Sequence, residues 1–209
     1  MKKRSIIVLI IVAVGLAIAI FVGPVMSNVE LPKYEVLSST DNIEIRNYAP
    51  MLIAEVSVTG ERKKALSDGF RILADYIFGN NTSDNKIQMT TPVQQESSTK
   101  IAMTAPVQQQ QFDNSWSVSF IMPSEYSIDS LPKPNNPAIK IKRIPSKQFV
   151  VIRFAGSNTS INIDEHESKL RDYTRASNIE VLGTAKYAFY NPPWTLPFMR
   201  RNEVMLEIK

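Results

Sequence analysis

The sequence predicts a single α+β domain: a twisted antiparallel sheet or open barrel with two equivalent helices, behind an apolar N-terminal segment. Three observations predict it. Shifting the chain by 96 residues superposes Ile43, Ile45, Ile53, Val56, Val58 and Gly60 on Ile139, Ile141, Phe149, Ile152, Phe154 and Gly156. In both halves two strands run into a glycine and then a helix, which marks two copies of a strand–strand–helix–strand unit. Second, two stretches carry apolar residues at helical spacing. Third, Lys86–Gln95 (KIQMTTPVQQ) returns as Lys100–Gln109 (KIAMTAPVQQ), each alternating apolar and polar before a proline.

From Ile6 to Val25 no charged residue appears. A helix of that length, at about 1.5 Å per residue, matches a hydrocarbon core of roughly 30 Å. Residues 5–26 are therefore expected to form a transmembrane anchor, with a secretory signal peptide as the alternative. Lys2, Lys3 and Arg4 mark residues 1–4 as a cytoplasmic tail and place the rest on the non-cytoplasmic side. The same three residues account for most of the formal charge of +4, leaving 21 basic against 20 acidic residues. That balance gives no electrostatic footprint for nucleic acid. With no cysteine, disulfides, thiolate catalysis and cysteine-ligated metals are excluded.

Residues 27–33 read as a linker and 34–209 as the domain. Tyr34–Leu37, Ile43–Tyr48 and Leu52–Val58 are expected strands. Glu61–Phe78 is a helix with Leu66, Phe70, Leu73 and Ile77 on one stripe, Arg62 and Arg71 on the other face, and Gly79 ending it. Lys86–Thr91 and Lys100–Ala105 are expected as paired strands ending at Pro92 and Pro106. Gln94, Gln95 and Gln108–Gln111 read as solvated strand ends and loop. Trp116–Met122 is a strand, and Leu131–Pro137, with its three prolines, a loop. Ile139–Ile144 and Phe149–Phe154 are strands, Ser160–Ala176 a helix, and Lys186–Tyr190 with Val204–Ile208 closes the sheet.

These motifs together resemble the SOUL, or haem-binding protein, family. The resemblance rests on Lys-Ile-x-Met-Thr-x-Pro-Val at 86–93 and 100–107, on FIMPSEY at 120–126, on LPKP at 131–134, and on YNPPWTLPFMRRNEV at 190–204. It covers about residues 30–209. It implies a distorted antiparallel β-barrel of about eight strands with two flanking helices, and non-covalent binding of haem or another tetrapyrrole without a chemical step. It also implies a groove between the first helix and the loop before the last strand. On this chain that groove would take Leu66, Phe70, Leu73 and Ile77 from the helix and Trp194, Leu196, Phe198 and Met199 from the loop. Arg71, Arg200 and Arg201, with Arg62, would meet the propionates as planar guanidinium donors. The chain departs from the family pattern at Asp75, where some members carry a basic residue; a carboxylate there would repel a propionate.

His166 is the one histidine and the candidate axial ligand to iron, the alternative being a packed core residue. The methionines 89, 103, 199 and 205 are of a type that can ligate iron, but their usual role is filling irregular cores. Nothing supports an enzyme: one histidine excludes a paired-histidine metalloprotease motif, and there is no Gly-x-Ser-x-Gly. The alternative to haem is the same fold binding another amphipathic ligand or a protein partner.

Overall fold

The computed structural model describes residues 29–82 and 98–209. The expected anchor and the first copy of the duplicated motif, 86–95, lie outside the described residues. Among the described residues no helix is long and apolar enough to cross a membrane.

Apart from the duplicated motif, the expected strands and helices form, half of them with longer ends. In chain order they are β1 (Tyr34–Thr40), β2 (Ile43–Tyr48), β3 (Met51–Thr59), α1 (Arg62–Ile77), β4 (Asn81–Thr82), β5 (Val107–Phe112), β6 (Ser115–Ile121), β7 (Lys133–Pro134), β8 (Lys140–Ile144), β9 (Lys147–Phe154), α2 (Ser160–Ala176), β10 (Val181–Phe189) and β11 (Asn202–Ile208). The loop 131–137 contributes one short rung, β7 pairing with β4. Three expectations need correction. The second duplicate is not a strand over Lys100–Ala105: the strand starts at Val107, after Pro106, because proline has no ladder donor and holds its predecessor off the regular path. Gln108 and Gln109 are buried in that strand, not solvated. Residues 30–33 are bound to the domain, with Ala105 N donating to Glu30 O and Ala49 N to Lys33 O.

The expected barrel is also not closed. Among the described residues nine strands form one antiparallel sheet in the order β1-β2-β9-β11-β10-β5-β6-β3-β8, with β1 and β8 at its two ends. The order explains why. Read outward from the β10–β5 pair, one half runs β10-β11-β9-β2 and the other β5-β6-β3-β8, so the two units are related by a pseudo-twofold axis between β5 and β10. Each unit's first strand has crossed over: β2 pairs with β9 of the second unit, and β8 with β3 of the first.

Alternation of side chains gives the sheet two unlike faces. One carries the helices. Under α1, Leu73, Tyr76 and Ile77 pack with Ala54, Val56, Val118 and Phe120. Under α2, Ile163 and Leu170 pack with Val150, Ile152, Val204 and Leu206. Gly69 lets α1 approach closely, since a Cβ there would stand 2.6 Å from the Val118 side chain.

Neither described helix packs on the other face, which holds a smaller aromatic core of Tyr48, Phe149, Val151 and Met205. Beside it lies a buried ionic cluster. Arg46 Nη1 on β2 meets Glu203 Oε2 on β11 at 3.0 Å, both side chains almost fully buried. Arg201 holds the other Glu203 oxygen at 2.7 Å, and the Tyr190 hydroxyl donates to Oε2 at 2.7 Å. Burial alone would lower the Arg46 pKa, but the Glu203 carboxylate more than offsets it and raises it. Burial, and then Glu203, pushes the Tyr48 phenol up to about 12.

Two substitutions test this account. Glu203→Gln removes the charge that holds two arginines and should cost about 3–5 kcal/mol, read as a lower urea midpoint. Gly69→Ala overpacks the α1 contact and should cost about 1–3 kcal/mol, with retained far-ultraviolet circular dichroism.

Candidate functional site

The N-termini of the two helices come together on the pseudo-twofold axis. Arg62 Nη2 donates to Asn158 O at 2.9 Å across a separation of 96 residues, which is the repeat itself, so equivalent positions touch. Gly60 and Gly156, also 96 apart, both hold a positive φ, +110° and +107°. They turn the chain from strand into helix in each copy. The register then slips by two: the N-caps are Glu61 for α1 and Thr159 for α2.

Between these ends lies a cleft of about 460 Å³ lined by Glu61, Arg62, Lys63, Ser157–Ser160 and Arg200. It gathers three cations and the positive ends of two helix dipoles. Its one carboxylate, Glu61, already accepts from the Lys63 and Lys64 amides at 3.1 Å. Those amides hold the Glu61 carboxyl below its ordinary pKa. Buried Gln109 donates from Nε2 to the backbone of the lining residue Arg62, at 2.8 Å from Arg62 O. Its Oε1 and Arg62 Nη1 are buried with no hydrogen-bond partner among the described residues. Arg200 ties the proline-rich loop to the cleft, donating to Thr195 O at 2.7 Å and Pro193 O at 2.5 Å.

Large apolar side chains stand in the open beside these cations. Trp194 is 64% exposed, Phe198 74% and Ile161 82%. Phe198 sits in a short 3-10 turn, Pro197–Met199, whose first carbonyl accepts from Gly156 N at 2.9 Å. Hydrogen bonds thus join the loop to the chain entering α2, while Trp194 and Phe198 on the loop stay exposed.

The structure divides the residues predicted from the sequence. Arg62 and Arg200 line the cleft, with Trp194, Leu196, Phe198 and Met199 on the loop that Arg200 holds. The helix stripe does not face a groove: Leu73 and Ile77 are buried in the protein's own core, and Leu66 packs against it. Phe70 packs edge-on against Phe120 at 5.4 Å, with part of its ring exposed. Arg71 points to solvent, paired with Asp68. Arg201 lies on the opposite face of the sheet, fixed by Glu203 and stacked over Tyr190 at 4.0 Å. Asp75 accepts from Asn80 at 2.5 Å, away from the cleft lining. Lys63 was missed because it continues no apolar pattern; the N-terminal position on α1 was the available signal.

His166 stacks on Phe154 with centroids 4.0 Å apart and planes 12° apart. Its Nδ1 lies 2.7 Å from Asn162 O, so in the tautomer that donates there Nε2 is the unprotonated nitrogen. Asn162 in turn donates to Ala155 O and Ser157 O, bracing the cleft wall. No group of three or more metal-ligating side chains occurs among the described residues.

The family model for SOUL heme-binding protein matches residues 29–207. No curated protein matches significantly. Among solved structures, the EcmrR C-terminal domain is similar at TM-score 0.57 and 9% identity, over 84% of this chain and 98% of that one. A hydrolase from Listeria innocua is similar at TM-score 0.52 and 11% identity, over 83% and 94%. At such identities the likeness is one of fold alone.

Gly156→Ala tests how the cleft is held. Besides the unfavourable φ, its Cβ would stand 2.8 Å from Asn162 Nδ2. A loss of about 1–3 kcal/mol is expected, with faster proteolysis near residues 155–160 and unchanged helix content.

Proposed function

The chain belongs to the SOUL haem-binding protein family, and from that premise we propose that it binds haem or a related tetrapyrrole non-covalently at the cleft between its two helix N-termini. The supporting observation is the convergence of Arg62, Lys63 and Arg200 beside exposed Trp194 and Phe198. A porphyrin needs that pairing, since its face is flat and apolar and its edge bears two carboxylates. Guanidinium and ammonium groups at the base meet the propionates, strengthened by two helix termini. The indole and phenyl rings cover the macrocycle face. The proposed site thus keeps the loop and replaces the apolar stripe of α1 with that helix's first turn.

When bound, haem would supply the iron, and this chain's residues would supply position and charge. The His166 ring has a packing role already, through Phe154 and the Asn162 carbonyl. Binding through propionates and ring face requires no iron ligand from it. The domain is further proposed to act outside the cytoplasm, tethered by a helix over residues 5–26.

Haemin and iron-free protoporphyrin IX are expected to bind the full chain with similar affinity, followed by the Soret band and by Trp fluorescence. His166→Ala should leave the bound Soret spectrum unchanged; a changed spectrum would assign iron ligation to it. Lys63→Glu reverses an exposed charge and should weaken haemin about fivefold or more, less so at high salt. Equal affinity of wild type and Lys63→Glu would sink the cleft as the site.

A further inference from the structure

A second cavity lies at the other end of the first unit and is apolar where the cleft is charged. It measures about 330 Å³, at the small end of the roughly 300–1,000 Å³ typical of small-molecule sites. Met51, Leu52, Met122, Pro123 and Tyr126 form much of its wall, and Leu31 with Pro32 closes one side. That closing segment is fixed. The Glu30 carboxylate accepts from Ser124 N at 3.1 and 3.2 Å, Glu30 O accepts from Ala105 N, and Glu30 bridges Thr104. Lys33 and Arg143 stand exposed at the rim. Neither side chain has a carboxylate partner among the described residues, while the Glu30 charge is engaged inward.

Its place along the chain matters as much as its lining. Val25, the last residue of the apolar stretch 6–25, is five residues from Glu30. Fully extended, those residues reach at most about 18 Å. If residues 5–26 span a bilayer, this pocket opens within that distance of the membrane surface. The geometry points to a site for a single-chain anionic amphiphile, a fatty acid or an anionic lysophospholipid. Its chain would enter between Leu31 and Met122, and its head would meet Lys33 and Arg143. The volume equals roughly ten waters at about 30 Å³ each, room for one alkyl chain and too little to enclose a macrocycle. The membrane as source rests on the tethering reading above; the pocket's chemistry does not.

The test uses the full chain in phosphatidylcholine nanodiscs with photoactivatable diazirine palmitate, lysophosphatidylglycerol or lysophosphatidylcholine, and cross-links mapped by mass spectrometry. Palmitate and lysophosphatidylglycerol should label peptides containing 31–33 and 121–126, and the zwitterion about fivefold less. Ala49→Trp, at an exposed residue of the lining, should block labelling by all three. Lys33→Glu with Arg143→Glu should reduce only the anionic probes, again about fivefold. Labels confined to residues 6–25, labelling indifferent to both variants, or labelling abolished by haemin would overturn the proposal. Vesicle flotation tests the tether separately. A chain that fails to float, yet is labelled at the pocket by dispersed palmitate, keeps the site and loses only the membrane as its source.

Discussion

The contact between Arg46 and Glu203 fixes how the two halves of this protein depend on each other. Arg46 lies on the first strand of the first unit, Glu203 on the last strand of the second, and both are buried. A buried ion pair adds little net stability compared with apolar packing, but a mispaired one is costly. Its effect is therefore on register. If β2 slipped by one residue against β9, Arg46 would turn to the helix-bearing face among Val150, Ile152 and Val204, and Glu203 would lose a partner. The exchanged strand has one low-energy alignment, and neither unit can complete its sheet alone.

That exchange also sets where chemistry can occur. The helix-bearing face is filled under both helices by closely packed aliphatic and aromatic side chains of the described residues. The pseudo-twofold brings both helix N-termini to one place, where Arg62 reaches the residue 96 positions on. Two dipoles, three cations and a carboxylate already engaged by backbone amides make a base suited to anions. The proline-rich loop adds aromatic surface, and Arg200 binds it through carbonyls that the prolines leave without strand partners.

Much of this architecture was legible. Periodicity fixed α2 to its terminal residues and α1 to within one residue at each end, and the 96-residue repeat foretold the duplicated unit. Periodicity shows that a stripe is buried without showing against what, so Leu73 and Ile77 looked equally suited to a groove or a core. Arg200 and Arg201 could have been separated: neighbours entering a strand face opposite sides, so only one of them can face the cleft. Gln109 misled because glutamine is ordinarily exposed; its burial depends on the Arg62 carbonyl, which comes from 47 residues away. Closure of the barrel was not decidable from strand count, since it depends on whether β1 and β8 find each other.

The two cavities differ in their relation to the repeat, and that difference argues for separate roles. The cleft lies on the axis and draws residues from both copies, so changing either copy alters it. The apolar pocket is walled mainly by the first unit and the chain before it, with Arg143 of the exchanged β8 at its rim. Carried forward by 96 residues, Pro50 and Met51 become Ser146 and Lys147. There Ser146 donates to Asn47 and the Tyr48 carbonyl, while Lys147 pairs with Glu207 at 2.7 Å. Polar bonds thus occupy in the second unit the register that leaves an opening in the first. The wall Leu31–Pro32 completes the asymmetry, since it comes from chain that precedes the repeat. The duplicated scaffold thus presents a cationic cleft at its shared center and an apolar pocket at one end.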